Sequence, residues 1–257
     1  MSLISIKYRI NEVIVEPDSG QLIQWNHNGA GVFYQGSSIR RSGIPILFPF
    51  ANPLKDYIFE ITGKKIPQHG FGRDFVWQVT DHTHNSLTMT LTQDDISSAM
   101  KEAYLYEFEV NILISVSENI LCYALRVTNK SSQDMPIAPG IHPYFPIAHK
   151  DKSKVKIGNL ADFKNDIDWE ADNNGFFYDF GGTANIYFPS GRQIEIKSNP
   201  TDSFNHIVLW SQSAKNIDHD FVCIEPFTRQ TNAINDNPIL IKPSESWQSE
   251  ICFTIKK

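Results

Sequence analysis

The sequence predicts an all-β protein, a large antiparallel β-sandwich with few short helices. Three observations lead there. Short β-branched and aromatic runs recur along the chain; turn signals such as Asp18-Ser19-Gly20, Asn28-Gly29 and Ser117-Glu118-Asn119 separate them; almost nothing repeats with a helical period. Many strands at short spacing without βα alternation argue against a Rossmann fold or an α/β barrel.

In order along the chain, strands are expected over 3–10, 12–16, 21–26, 32–35, 75–80, 86–92, 107–116 and 119–128. The second half continues with 155–157, 184–188, 193–198, 206–210, 221–224, 239–241 and 248–255. The stretch 94–104 opens on Asp94-Asp95 with helix-compatible composition, which predicts one short helix or an extended loop, and 232–236 has room for one turn. Residues 159–182, with Asp172-Asn173-Asn174-Gly175 and Gly181-Gly182, read as a long loop leaving the sandwich. No repeat period and no Pro/Ser linker divides the chain, so one domain over 1–257 is expected; all-β units often reach ~200–250 residues.

Composition narrows the partners. A hydrophobic content of 41% with 20% charged residues is that of an ordinary globular chain. A formal net charge of −6 without a Lys/Arg-rich run offers nothing to a polyanion, so no nucleic-acid partner is expected. No window approaches the ~18–20 uninterrupted apolar residues of a spanning helix, and the first ten residues do not have the pattern of a signal peptide. No membrane partner and a cytoplasmic location are therefore expected. Cys122, Cys223 and Cys252 are widely spaced in apolar runs without a Cys-x-x-Cys motif, which predicts buried free thiols.

Two histidines and one glutamate stand out. His69 lies in Gln68-His69-Gly70-Phe71-Gly72-Arg73, a loop entering a sheet, where close glycines let backbone approach a ligand or simply complete a tight turn. His142 lies in Gly140-Ile141-His142-Pro143-Tyr144-Phe145, framed by Pro139 and Pro143, as an immobilised functional imidazole or a structural one beneath aromatics. Glu225 ends the apolar run Phe221-Val222-Cys223-Ile224 and precedes Pro226. A carboxylate there is costly to bury without a partner, so it is either turned to solvent or used. Imidazole and carboxylate are the pair that moves protons near neutral pH.

Other constellations carry less. His27, His82, His84 and His219 sit beside turn residues, where a solvated histidine is the simpler reading than a metal ligand. Asp94-Asp95 as a glycosidase pair has little support. No nucleophile-elbow, Walker, His-Glu-x-x-His or calcium-loop pattern occurs.

The segments Ile39-Arg40-Arg41-Ser42-Gly43-Ile44-Pro45-Ile46-Leu47-Phe48-Pro49, Gln68 to Arg73 with Trp77, His142-Pro143-Tyr144-Phe145, and Leu209-Trp210 followed by Cys223-Ile224-Glu225-Pro226-Phe227-Thr228 occur in an order and spacing that resembles the aldose 1-epimerase (galactose mutarotase-like) family. The resemblance runs from about Gly20 to the C-terminus. It implies a galactose mutarotase-like supersandwich and interconversion of the α and β anomers of an aldohexose, with no metal and no organic cofactor.

By motif position, the resemblance makes Glu225 the base that takes the anomeric hydroxyl proton and His142 the acid that protonates the ring oxygen, with His69 polarising charge near the anomeric centre. Arg73 and Asn52 would position hydroxyls, and Trp210 or Phe227 would floor the sugar. Two departures bear on the substrate. Asn52 is followed by Pro53 where many members have Asn-Arg, and the family's Asp-His-Asn motif has no counterpart at Phe204-Asn205-His206. Arg41 before Gly43-Ile44-Pro45 resembles the branch acting on hexose 6-phosphates, such as glucose-6-phosphate 1-epimerase, and its planar fork suits a phosphate. The expected partner is thus a small-molecule sugar or sugar phosphate. A carbohydrate-binding module on the same fold, without turnover, is the reading from another class.

Overall fold

The computed structural model describes residues 3–160, 163–164, 166–171 and 175–256. Among them, one large sheet runs in the order Ile46–Leu47, Gly140–Ile141, Phe221–Phe227, His206–Trp210, Phe176–Tyr187, Gln193–Asn199, Ser246–Lys256, Ile120–Asn129, Phe108–Ser117, Ser86–Thr92 and Gln78–His82. Tyr144–Pro146 and Lys156–Leu160 attach to it beside Phe221–Phe227 and Phe176–Tyr187. The strands of this sheet pair antiparallel. A second antiparallel sheet is formed by Ile4–Tyr8, Asn11–Glu16, Gln21–His27 and Ala30–Gly31.

Alternation of apolar and polar residues builds the core. In Phe108–Ser117 the residues Val110, Ile112, Ile114 and Val116 are buried, and they face Val127, Leu125, Tyr123 and Leu121, also buried, on Ile120–Asn129. Such directly opposed apolar pairs are what stabilises an antiparallel sheet locally. Phe33, which packs on Trp25 of the small sheet at 5.9 Å, meets Phe145 and Phe253 of the large sheet at 5.4 and 5.5 Å.

Helix is scarce, as expected. Ser98–Ala103, capped by the Ser97 hydroxyl, has six residues, and Ala233–Asp236 has four. Asp95 closes a capping box with Thr92, accepting from its backbone N–H at 2.8 Å and its hydroxyl at 2.7 Å. That structural duty accounts for Asp95 in the Asp94-Asp95 pair.

Three expectations need correction. Residues 32–35 are irregular rather than a strand, because Val32 donates to Trp25 O and Tyr34 to Tyr144 O, two different segments that cannot extend one ladder. The stretch 159–182 is partly strand. Phe176–Tyr187 pairs with His206–Trp210 through its first residues and with Gln193–Asn199 through its last, changing partners around Gly181-Gly182. Gly182 has φ +82°, and a Cβ there would meet Thr201 at 2.7 Å, so the turn of this strand requires glycine. The Asp172-Asn173-Asn174 part of that expected loop lies outside the described residues.

The third correction concerns the thiols. Cys122 and Cys252 are register partners on neighbouring strands with Cα atoms 4.1 Å apart, and they form a disulfide; Cys223 alone is a buried free thiol. Their separation of 130 residues hides in sequence what strand pairing places side by side.

Candidate active site

The strand Phe221–Phe227 is buried along its whole length. Period-two alternation puts Cys223, Glu225 and Phe227 on one face. His142 occupies the short link between Gly140–Ile141 and Tyr144–Pro146, both of which pair with the Glu225 strand, and its backbone N–H donates to Pro45 O at 3.0 Å. This tethering brings imidazole to carboxylate: His142 Nε2 lies 3.5 Å from Glu225 Oε1. Both line a cavity of about 600 Å³, together with Arg41, Asn52, His69, Arg73 and Trp210 among others. Seven of the residues singled out in sequence therefore converge from distant segments.

His69 reaches the cavity through a clasp with Asn52. Both residues have positive φ; His69 N donates to Asn52 O at 3.1 Å, and Asn52 N donates to His69 Nδ1 at 2.9 Å. Gly70, at φ +70°, sits so close to Phe48 O that a Cβ would lie 2.1 Å from it, which explains the glycine after His69. Because Nδ1 accepts, Nε2 carries the proton, with the Gln68 side-chain amide 3.1 Å away. Burial, with lesser contributions from Arg73 and Arg41, pulls its pKa down to about 3, so it stays neutral at physiological pH.

The central pair is tuned by burial in the same manner. Burial pushes the Glu225 carboxyl well above the usual carboxylate range, with Arg73 opposing that shift. Burial, then His69, Arg73 and Arg41, holds His142 well below the usual imidazole range. The free site thus favours carboxylic acid beside neutral imidazole. His142 is fixed by stacking on Tyr144 at 4.7 Å and 12°, with Trp210 and His69 edge-on at 5.7 and 5.6 Å. Its Nδ1 is buried without a hydrogen-bond partner among the described residues.

The two neighbouring arginines have different fates. Arg40 forms an ion pair with Asp74. Arg41 donates from Nη1 to the Tyr144 hydroxyl at 3.2 Å and lies 5.3 Å from the centre of the Trp210 ring. Arg73, also on the cavity, donates from Nη2 to Gln68 O at 3.3 Å and keeps a buried Nε without a partner among the described residues. Burial lowers its pKa. Asn52 donates its amide to Thr231 Oγ1 at 2.9 Å, which holds that side chain against the far wall.

Phe227 is the site residue that the structure moves out. It is fully buried opposite Gly140, packed with Leu47, Ala51 and Val208, and does not line the cavity. Phe177, 6.0 Å from it ring to ring, lines the cavity instead. Tyr57, Thr231 and Phe177 escaped sequence reading, having no motif around them. Tyr144 and Gln68 lie within the His142-Pro143-Tyr144-Phe145 and Gln68 to Arg73 motifs and line the cavity as well. His82 and His84 are exposed, while His27 meets Asn11 Oδ1 at 2.9 Å, all away from the cavity.

A model of the aldose 1-epimerase family matches residues 19–254. The chain belongs to the aldose 1-epimerase family. Within this family's matched span lie all the cavity residues named above. The chain is 22% identical over 248 residues to the uncharacterized protein YphB of Escherichia coli, covering 82% of each. Among solved structures, the Slr1438 protein of Synechocystis superposes with a TM-score of 0.84 at 22% identity, over 99% of this chain and 96% of that one. A galactose mutarotase related enzyme of Lactobacillus acidophilus gives 0.80 at 18% identity, over 100% and 98%. At such identities the likeness establishes the galactose mutarotase-like fold, which agrees with the sandwich expected from sequence.

Proposed function

We propose that the protein is an aldose 1-epimerase, interconverting the α and β anomers of an aldohexose by acid–base ring opening and closure. The observation that carries this reading is the buried His142–Glu225 pair at 3.5 Å on the wall of the cavity. Its neutral form and its imidazolium–carboxylate form contain the same number of protons, so a single proton shift from Glu225 to His142 arms the site. The carboxylate then takes the proton of the anomeric hydroxyl while the imidazolium protonates the ring oxygen. The bond between C1 and the ring oxygen breaks, and the hydroxyl oxygen becomes the aldehyde oxygen.

Both residues end as the neutral pair, which the buried site favours, so the open-chain intermediate is accommodated without net charge on the pair. Rotation about the bond between C1 and C2 presents the other carbonyl face. Reversal of both proton transfers closes the other anomer. His69 Nε2–H, 3.1 Å from the Gln68 side-chain amide, would turn from that neighbour to donate to charge developing on the sugar oxygens. Trp210 and Phe177 supply the apolar wall.

The charge of the cavity favours a second reading, a hexose 6-phosphate as substrate. Arg41 and Arg73 both line it; Arg41 contacts the Tyr144 hydroxyl and the Trp210 ring and helps to lower the Asp218 pKa, while burial raises that of Glu225 well above the usual carboxylate range. Two guanidinium groups with donors to spare suit a phosphate. Anomer exchange followed by NMR or polarimetry for glucose, galactose and glucose-6-phosphate, corrected for the spontaneous rate, tests both readings. Acceleration of any one establishes the epimerase and selects the branch. Saturable sugar binding without acceleration would instead identify a carbohydrate-binding module.

A further inference from the structure

Cys223 has no part in the acid–base chemistry, yet it sits beside both groups that do. We propose that His142, Cys223 and Glu225 form a binding site for a soft divalent cation of the Zn²⁺ type, and that its occupancy silences the cavity. The binding half stands on geometry alone; the silencing half rests on the acid–base reading above.

A ring nitrogen, the thiol sulfur and a carboxylate oxygen of these three residues lie within 4.8 Å of one another, and all three side chains are buried. The strand Phe221–Phe227 presents Cys223 and Glu225 two positions apart on one face, and the link beside it supplies His142. Nitrogen, sulfur and oxygen donors together suit zinc rather than magnesium or calcium. Tetrahedral bonds of ~2.0–2.3 Å put donors about 3.4–3.6 Å apart. His142 Nε2 and Glu225 Oε1 already meet that spacing at 3.5 Å. Binding would draw the Cys223 sulfur, within 4.8 Å of both, toward them. His142 and Glu225 line the cavity, which gives the ion an entry route and leaves a fourth position for water.

Charge decides the form of the complex. On binding, the thiol proton and the carboxyl proton pass to solvent, and bonds form from the metal to thiolate, carboxylate and neutral imidazole. One dication with two anions is neutral, which a buried site tolerates and which the nearby Arg41 and Arg73 do not oppose as they would a net cation. With the imidazole lone pair and the carboxylate both bound to metal, neither can exchange a proton with a sugar.

Titration of the intact protein with Co²⁺ is the deciding experiment. A near-ultraviolet sulfur-to-cobalt charge-transfer band should saturate at about one ion per chain, be displaced by Zn²⁺, and vanish in both Cys223→Ala and Cys223→Ser, with folding checked by circular dichroism. Absence of the band in the wild type overturns the proposal regardless of any variant. A band that survives in folded Cys223→Ala would place the metal at another cysteine and equally overturn it. In the activity arm, Zn²⁺ should abolish anomer exchange, a chelator should restore it, and Cys223→Ala should need at least about tenfold more Zn²⁺. Should no sugar be turned over at all, the epimerase reading fails while the cobalt spectrum still decides the metal site.

Discussion

His142 Nε2 stands 3.5 Å from Glu225 Oε1, with both side chains buried. Burial disfavours the charged form of each, so the two are held as a pair that shares one transferable proton. A site of this kind delivers an acid and a base together only when a substrate bridges them.

Glu225→Gln keeps the shape of the side chain and removes its proton chemistry. It should lower kcat for anomer exchange by about 10²–10⁴-fold, the usual worth of a positioned acid or base, with the fold intact. His142→Gln should fall in the same range. NMR exchange rates check both, and near-normal turnover in either variant removes that residue from the mechanism.

Arg41→Ala removes a guanidinium that touches Tyr144 and Trp210. If phosphate binds there, kcat/KM for glucose-6-phosphate should drop about 10–100-fold more than for glucose, since a charge-assisted hydrogen bond is worth ~1.5–3 kcal/mol. Equal losses on both sugars would assign Arg41 to shaping the wall.

His69 carries a pH signature in stability. Its pKa falls from 6.5 in the unfolded chain to about 3 in the folded one, so below 6.5 the unfolded state binds more protons and stability declines as pH falls toward 3. Between pH 7 and pH 5 this one group should cost about 2 kcal/mol. His69→Gln should lose that share of the slope, whatever its own stability at pH 7. Parallel stability–pH curves from urea unfolding of the two proteins would refute the assignment.

Phe227→Ala should destabilise the protein by about 3–5 kcal/mol as a core cavity opens, seen in the unfolding midpoint. Phe177→Ala, at a partly exposed position on the cavity wall, should cost little stability and instead raise KM. An unchanged midpoint for Phe227→Ala would return that ring to the sugar site.

Cys122→Ser breaks a cross-link that closes a loop of 130 residues. The chain-entropy relation sets its contribution at about 5 kcal/mol as an upper figure, so the variant should melt lower while keeping its anomer exchange rate, neither cysteine lining the cavity. Identical melting of reduced and oxidised protein would contradict it.

Much of this architecture was legible from residue order. Runs such as 86–92 and 206–210 alternate or stay apolar over the length of one strand, and the backbone forms strands there as expected. His69 could be found because the glycines around it allow close backbone approach, as the Gly70 contact with Phe48 demonstrates, His142 by the prolines that frame it, and Glu225 as a carboxylate ending an apolar run.

What residue order left open, tertiary structure decided. Alternation places Phe227 on the same face as Glu225, but only the neighbouring strands bury it opposite Gly140 and hand the cavity wall to Phe177. Arg40 and Arg41 are equivalent in sequence until a single 3₁₀ turn sends one to Asp74 and the other to Tyr144. Cys122 and Cys252 become partners only through strand register. The β architecture and the chemical types at the site follow from residue order, because periodicity and motif are local properties. Contacts between segments more than a hundred residues apart, and the burial that tunes their protons, exist only once the sheet has closed.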